Sequence, residues 1–126
     1  MPETGAWSPC PLVVDVANVV GSRPDGWWRD RAGATQRLLT RVAAAELVGI
    51  DPVVAVVEGR ARAVPDVPGL QVVRAAGSGD DEVVAQVERL GTGCTVVTAD
   101  RGLLARLPSG TRARGPGWLL DRIGQE

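Results

Sequence analysis

The chain has 126 residues, 14 basic against 15 acidic for a net charge of −1, and contains no His, Lys, Tyr or Phe. That inventory excludes a Ser-His-Asp triad, a His-bearing zinc site, a P-loop and a Schiff-base lysine. Carboxylates are almost the only reactive chemistry left, carried on a chain long enough for one hydrophobic core of its own.

Residues 1–9, with Pro2, Gly5 and Pro9, read as a flexible N-terminal tail ahead of one domain over 10–126. The run Leu12-Val13-Val14-Asp15-Val16-Ala17 is apolar but for Asp15, the pattern of a strand buried on both faces of a parallel sheet. A loop from Asn18 to Gly26 follows. Leu38, Leu39, Val42, Ala45 and Leu47 then recur at near-helical spacing and predict one long helix over 27–48, ended by Gly49. A second buried strand is predicted over 52–58, then a loop bearing Pro65 and Pro68, then a third strand over 70–73. Ser78 or Gly79 is positioned to cap a helix over 80–90, whose acidic start suits a helix N-terminus. A strand over 94–99, a short helix over 100–107, a strand over 111–114 and a closing helix over 118–123 complete the chain. Strands alternating with helices predict an α/β fold: a single three-layer domain with a parallel sheet of about five strands, right-handed crossovers and helices on both faces.

The apolar runs fall well short of the roughly 20 residues that span a bilayer, so no membrane association and a cytoplasmic location are expected. Cys10 and Cys94 are too few for a disulfide framework and read as reduced thiols, with a Cys10–Cys94 bridge as the alternative. Every basic residue is Arg, whose planar fork suits phosphate; a composition rich in Ala, Gly, Val and Arg and empty of Lys accounts for the same usage. The net charge gives no global field that attracts nucleic acid.

Parallel sheets bind ligands outside the carboxyl ends of their strands. Asp15, Glu58 and Asp100 are predicted at such ends, and Asp81 reaches the same edge from the start of its helix. A carboxylate between Val14 and Val16 is costly to bury unpaired, so Asp15 needs a metal, a cation or several hydrogen-bond donors. Asp100 reads equally as the N-cap of the following helix. Asp80 and Asp81 point about 100° apart on a helix, so one of them faces the site; Asp81 is the preferred residue, with Asp80 and Glu82 as outer candidates. Glu58 is either a further ligand or a surface carboxylate paired with Arg60 or Arg62. Asn18 either orients a bound water or phosphate or stabilises its turn. An oxygen-only donor set of this kind suits Mg²⁺ or Mn²⁺. Arg23, Arg29, Arg31 and Arg101 flank the edge, and Trp27 and Trp28 are expected to supply core bulk, with stacking on an unpaired base as the alternative.

The segment Val14-Asp15-Val16-Ala17-Asn18-Val19 resembles the D-x-x-N signature that opens NYN domains of the PIN-like nuclease superfamily. Gly79-Asp80-Asp81-Glu82-Val83-Val84 resembles that superfamily's second acidic element, and Val97-Thr98-Ala99-Asp100-Arg101-Gly102-Leu103 its third. The resemblance runs from about residue 12 to residue 107. It implies a five-strand parallel sheet and Mg²⁺- or Mn²⁺-dependent cleavage of single-stranded or structured RNA. Asp15, Asp81 and Asp100 would be metal ligands, Asn18 a supporting residue in the catalytic site, and Asp80 or Glu58 a fourth ligand. Arg23, Arg101 and Ser78 are the candidate substrate contacts, and a homodimer is compatible with the family. Two rival readings stand: an inactive RNA- or protein-binding module of the same fold, and a nucleotide phosphohydrolase.

Overall fold

A computed structural model describes residues 9–23, 26–91 and 93–124. Strands β1 (Cys10–Asp15), β2 (Ile50–Val57), β3 (Gln71–Arg74), β4 (Thr95–Val97) and β5 (Arg112–Arg114) form one sheet in the order β3-β2-β1-β4-β5, each neighbouring pair parallel. The helices are α1 (Val16–Gly21), α2 (Arg31–Ala45), α3 (Gly79–Leu90), α4 (Arg101–Arg106) and α5 (Pro116–Ile123), with 3-10 turns at Trp27–Arg29 and Gly59–Ala63. The predicted α/β architecture is the one that forms. Of the expected N-terminal tail, only the exposed Pro9 is among the described residues.

The two-residue alternation of the strands sorts their side chains into two cores. Leu12, Val14, Val53, Ala55, Val57 and Val97 pack on one face with Leu38, Leu39 and Val42 of α2 and Leu119 and Leu120 of α5. Val13, Val54, Val56 and Val96 pack on the other with Val83 and Val87 of α3 and Leu103 of α4. Helices therefore cover both faces, which is why β1 and β2 read as unbroken apolar runs. Each fully buried Val or Leu contributes about 1.5–3 kcal/mol of transfer free energy. No described helix is long and apolar enough to cross a membrane. Cys10 and Cys94 are both free thiols. The Cys10 Sγ–H donates to the Gly93 carbonyl at 2.9 Å.

Two elements differ from expectation. The first strand stops at Asp15, and Val16–Gly21 is helix where a strand end and a loop were expected. Val16, Val19 and Val20 stand at i, i+3 and i+4 and are all buried, so tertiary packing of one helical face overrides the strand preference of β-branched residues. The long helix expected over 27–48 is divided. Asp30 accepts from the Gly33 N–H at 2.9 Å and starts α2 at Arg31, which leaves Trp27–Arg29 as a separate 3-10 turn. In that turn successive side chains point about 120° apart, so both indoles cannot face the core. Trp27 packs inward, and Trp28, expected to supply core bulk, is 57% exposed.

The chain lays down β1 at the centre, adds β2 and β3 on one side, then crosses to β4 and β5 on the other. The helix leaving β1 and the loop leaving β4 diverge at this switch point and open a crevice at the carboxyl edge.

Candidate active site at the switch point

Asp15 is the last residue of β1 and only 6% exposed. Its Oδ2 accepts a hydrogen bond from Thr98 Oγ1 at 2.8 Å, across the switch point. The same hydroxyl oxygen accepts from the Asp100 N–H at 3.1 Å. Asn18 of α1 crosses in parallel, its Oδ1 accepting from the Ala99 N–H at 2.8 Å. Thus the end of β1 and the helix α1 that follows it are tied by their side chains to the loop after β4. Burial pushes the Asp15 carboxyl above its ordinary range. The Thr98 hydroxyl and the Asn18 backbone N–H favour its charged form. The carboxylates of Asp80 and Glu58 oppose it.

The second acidic element contributes Asp80 to this group, not Asp81. Ser78 caps α3 by accepting from the Asp81 N–H at 3.3 Å. Gly79, Val83 and Val87 then form the buried stripe. Asp81 lies about 200° round the axis from Gly79 and faces solvent, where its Oδ1 pairs with the Arg106 guanidinium at 2.8 Å; the side chains are 70% and 46% exposed. Asp80 is half-buried, and its carboxyl is held above the usual range by burial first, then by Asp100 and Glu58, with Arg106 opposing. It therefore shares a field with Asp15, Glu58 and Asp100 together. The signal lay in the sequence: Val83, Val84 and Val87 stand three, four and seven residues after Asp80 and mark its side as the buried one.

Glu58 follows the last residue of β2 and accepts from the backbone N–H of Gly79, rather than pairing with Arg60 or Arg62. It thereby anchors the start of α3 beside the edge. A Cβ at Gly79 would strike that carboxylate. Asp100 caps α4 by accepting from the Leu103 N–H at 3.0 Å, so its helix-capping role is realised within the acidic group. Glu82 turns to Gln86, whose amide donates to it at 2.9 Å. Among the substrate candidates, Arg101 is exposed beside Asp100, Arg23 is half-buried after α1, and the Ser78 hydroxyl is occupied as a cap.

The donor set suits a hard cation, since all four carboxylates offer only oxygen and Asp15 and Asp80 resist ionising beside their neighbours. As they stand, however, no three of the described acidic residues lie close enough to grip one ion. Next to Asn18 a cleft of about 520 Å³ runs between α1 and the start of α5, lined mainly by Ala17, Gly21, Ser22, Ala99, Pro116 and Gly117. That is ligand-sized, and its small residues allow another backbone close approach.

No protein-family model and no curated protein matches the chain. Its fold is similar to that of Rae1 (YacP) from Bacillus subtilis, with a TM-score of 0.68 over 90% of this chain and 74% of that one, at 17% sequence identity. At such identity the likeness is one of fold alone: a five-strand parallel sheet flanked by helices.

Proposed function

We propose that the chain is a Mg²⁺- or Mn²⁺-dependent ribonuclease that hydrolyses RNA phosphodiester bonds at the carboxyl edge of its sheet. The observation that carries this reading is the gathering of Asp15, Glu58, Asp80 and Asp100 from four separate elements at the switch point, where Asp15 and Asp80 are held above the ordinary carboxylate range. Burying carboxylates, here with like charges beside them, works against the fold, and perturbed carboxylates concentrate at functional sites. The shared fold of Rae1 and the D-x-x-N motif at Asp15 and Asn18 point the same way.

Asp15, Asp80 and Asp100, which would have to draw closer than they stand to share one ion, are the residues that would hold it, while Glu58 secures the helix that carries Asp80. A divalent ion held there would supply the acidity to ionise a water near neutral pH and the charge to polarise a phosphoryl group. Thr98 fixes Asp15 in its rotamer and favours its charged form, as a ligand requires. Asn18 holds the β4 loop, and so Asp100, in register with β1. Arg101, exposed beside Asp100, would be the residue that meets a phosphate. Without His or Lys, any side-chain proton acceptor on this edge must itself be a carboxylate.

The test is incubation of labelled single-stranded RNA with the protein in Mn²⁺, Mg²⁺ or EDTA, with Asp15→Asn in parallel. Cleavage that needs the metal and disappears in the variant supports the reading; cleavage that persists in EDTA or in the variant overturns it. A second reading, an RNA-binding module without activity, is favoured by the open spacing of the carboxylates. It is selected by RNA binding that is indifferent to chelator and unaccompanied by cleavage.

A further inference from the structure

Trp28 is the one large aromatic side chain that the described residues leave mostly exposed, at 57%, in a chain with no Tyr or Phe. The ring is braced. It meets Trp27 edge-to-face, with centroids 5.9 Å apart and planes at 85°, and Trp27 is seated on the core. A T-shaped contact occupies at most one face of the indole. Arg29 lies over the Trp28 ring, loosely at 6.0 Å from its centroid, and Arg31 lies over that of Trp27 at 5.1 Å.

Beside this ring is a cleft of about 520 Å³ lined by Trp28, Arg29, Asp30, Arg31, Gly59 and Arg60, with Ala32. Its three guanidiniums face one carboxylate, and that carboxylate is already engaged as the cap of α2 through the Gly33 N–H. The cleft is therefore locally basic on a chain of net charge −1. Gly59 directly follows Glu58, whose carboxylate holds the start of α3, so the cleft borders the acidic edge on its β2 side.

An exposed aromatic face flanked by guanidiniums matches one chemistry closely: an unpaired nucleobase stacking on the ring while its neighbouring phosphates meet Arg. A duplex hides its base faces, and the Asp and Glu side chains of an acidic peptide carry no aromatic ring to stack on the indole. We infer that the Trp28 cleft is a subsite for an unpaired nucleotide, which restricts the substrate of the neighbouring edge to single-stranded nucleic acid. The inference rests on the ribonuclease reading for its biological sense but is tested without cleavage.

The test uses the full chain carrying Asp15→Asn, in Mg²⁺, and follows fluorescence anisotropy of a labelled uridine oligomer. Adding Trp28→Ala weakens binding roughly tenfold, the loss of one stacked base, while Trp28→Phe restores most of it. Binding of RNA duplex is unchanged by Trp28→Ala, and Arg60→Ala lowers the slope of log affinity against log salt by about one. A DNA oligomer of the same sequence separates the two sources of this chemistry: equal affinity assigns single strands of either sugar, and weaker affinity assigns RNA. The inference is overturned if Trp28→Ala binds the oligomer like its parent, if duplex binding falls in parallel, or if polyglutamate competes as well as RNA. Because Trp28 is exposed, an unchanged melting temperature certifies the fold of the variants. Trp28-dependent binding in a protein whose unsubstituted form never cleaves would refute the ribonuclease reading and leave the subsite standing.

Discussion

Thr98→Val replaces one hydroxyl by a methyl of nearly the same shape at a site 2% exposed. The oxygen it removes makes two bonds, donating to Asp15 at 2.8 Å and accepting from the Asp100 N–H at 3.1 Å. A bond to an ionised carboxylate is worth about 1.5–3 kcal/mol and a neutral one about 1 kcal/mol; the added apolar group returns about 0.8 kcal/mol. The net loss is about 2 kcal/mol near neutral pH, which for a domain of this size lowers the melting temperature by roughly 6–12 °C. Its pH dependence identifies the cause. Asp15 has a folded pKa raised above the unfolded value of 3.8, so its charge counts against the fold once pH exceeds the folded pKa. That penalty is relieved as pH falls through the folded pKa toward the unfolded one. Removing Thr98 raises the folded pKa further, so the variant's deficit is largest at neutral pH and narrows on acidification, as Asp15 takes up its proton.

The assay is urea and thermal unfolding in EDTA from about pH 8 down to about pH 5, for Thr98→Val, Asp15→Asn and the double variant. The cycle should show coupling of about 1–2 kcal/mol at the alkaline end. A deficit independent of pH, or additivity to within about 0.5 kcal/mol, would refute a charge-assisted bond across the switch point.

Asp15→Asn by itself should raise the melting temperature in metal-free buffer at neutral pH while abolishing cleavage. The stabilisation should fade as pH falls toward 3.8, and a variant no more stable than its parent at any pH would contradict burial as the main cause of the shift. Gly79→Ala should cost about 1–3 kcal/mol, because the new methyl strikes the Glu58 carboxylate, and Glu58→Ala in the same chain should recover part of it. Equal costs in both backgrounds, read by urea denaturation, would exclude that contact as the source.

The sheet was legible because β1 and β2 are buried on both faces and spell it out in Val and Leu, and the position of Asp15 at a strand end followed directly. The helix at Val16–Gly21 was concealed by its three β-branched valines, whose helical face is revealed only by what it packs against. Asp100 was found with both its roles, as cap and as member of the acidic group. Asp81 was preferred to Asp80 because acidic first turns carry no phase by themselves; the downstream stripe of Val83, Val84 and Val87 supplies it. Glu58's partner was hidden because Gly79 is distant in sequence and offers only a backbone N–H. Trp28 escaped because residue type favours burial, whereas a 3-10 turn admits just one of two adjacent indoles.

The most direct measurement compares metal-dependent cleavage of single-stranded RNA by the unsubstituted chain, Asp80→Asn and Asp81→Asn under identical conditions. If Asp80 completes the edge with Asp15 and Asp100, Asp80→Asn loses activity by orders of magnitude and Asp81→Asn, which gives up only an exposed ion pair, keeps nearly all of it. Equal activity in Asp80→Asn and the unsubstituted chain, or loss confined to Asp81→Asn, would contradict the account.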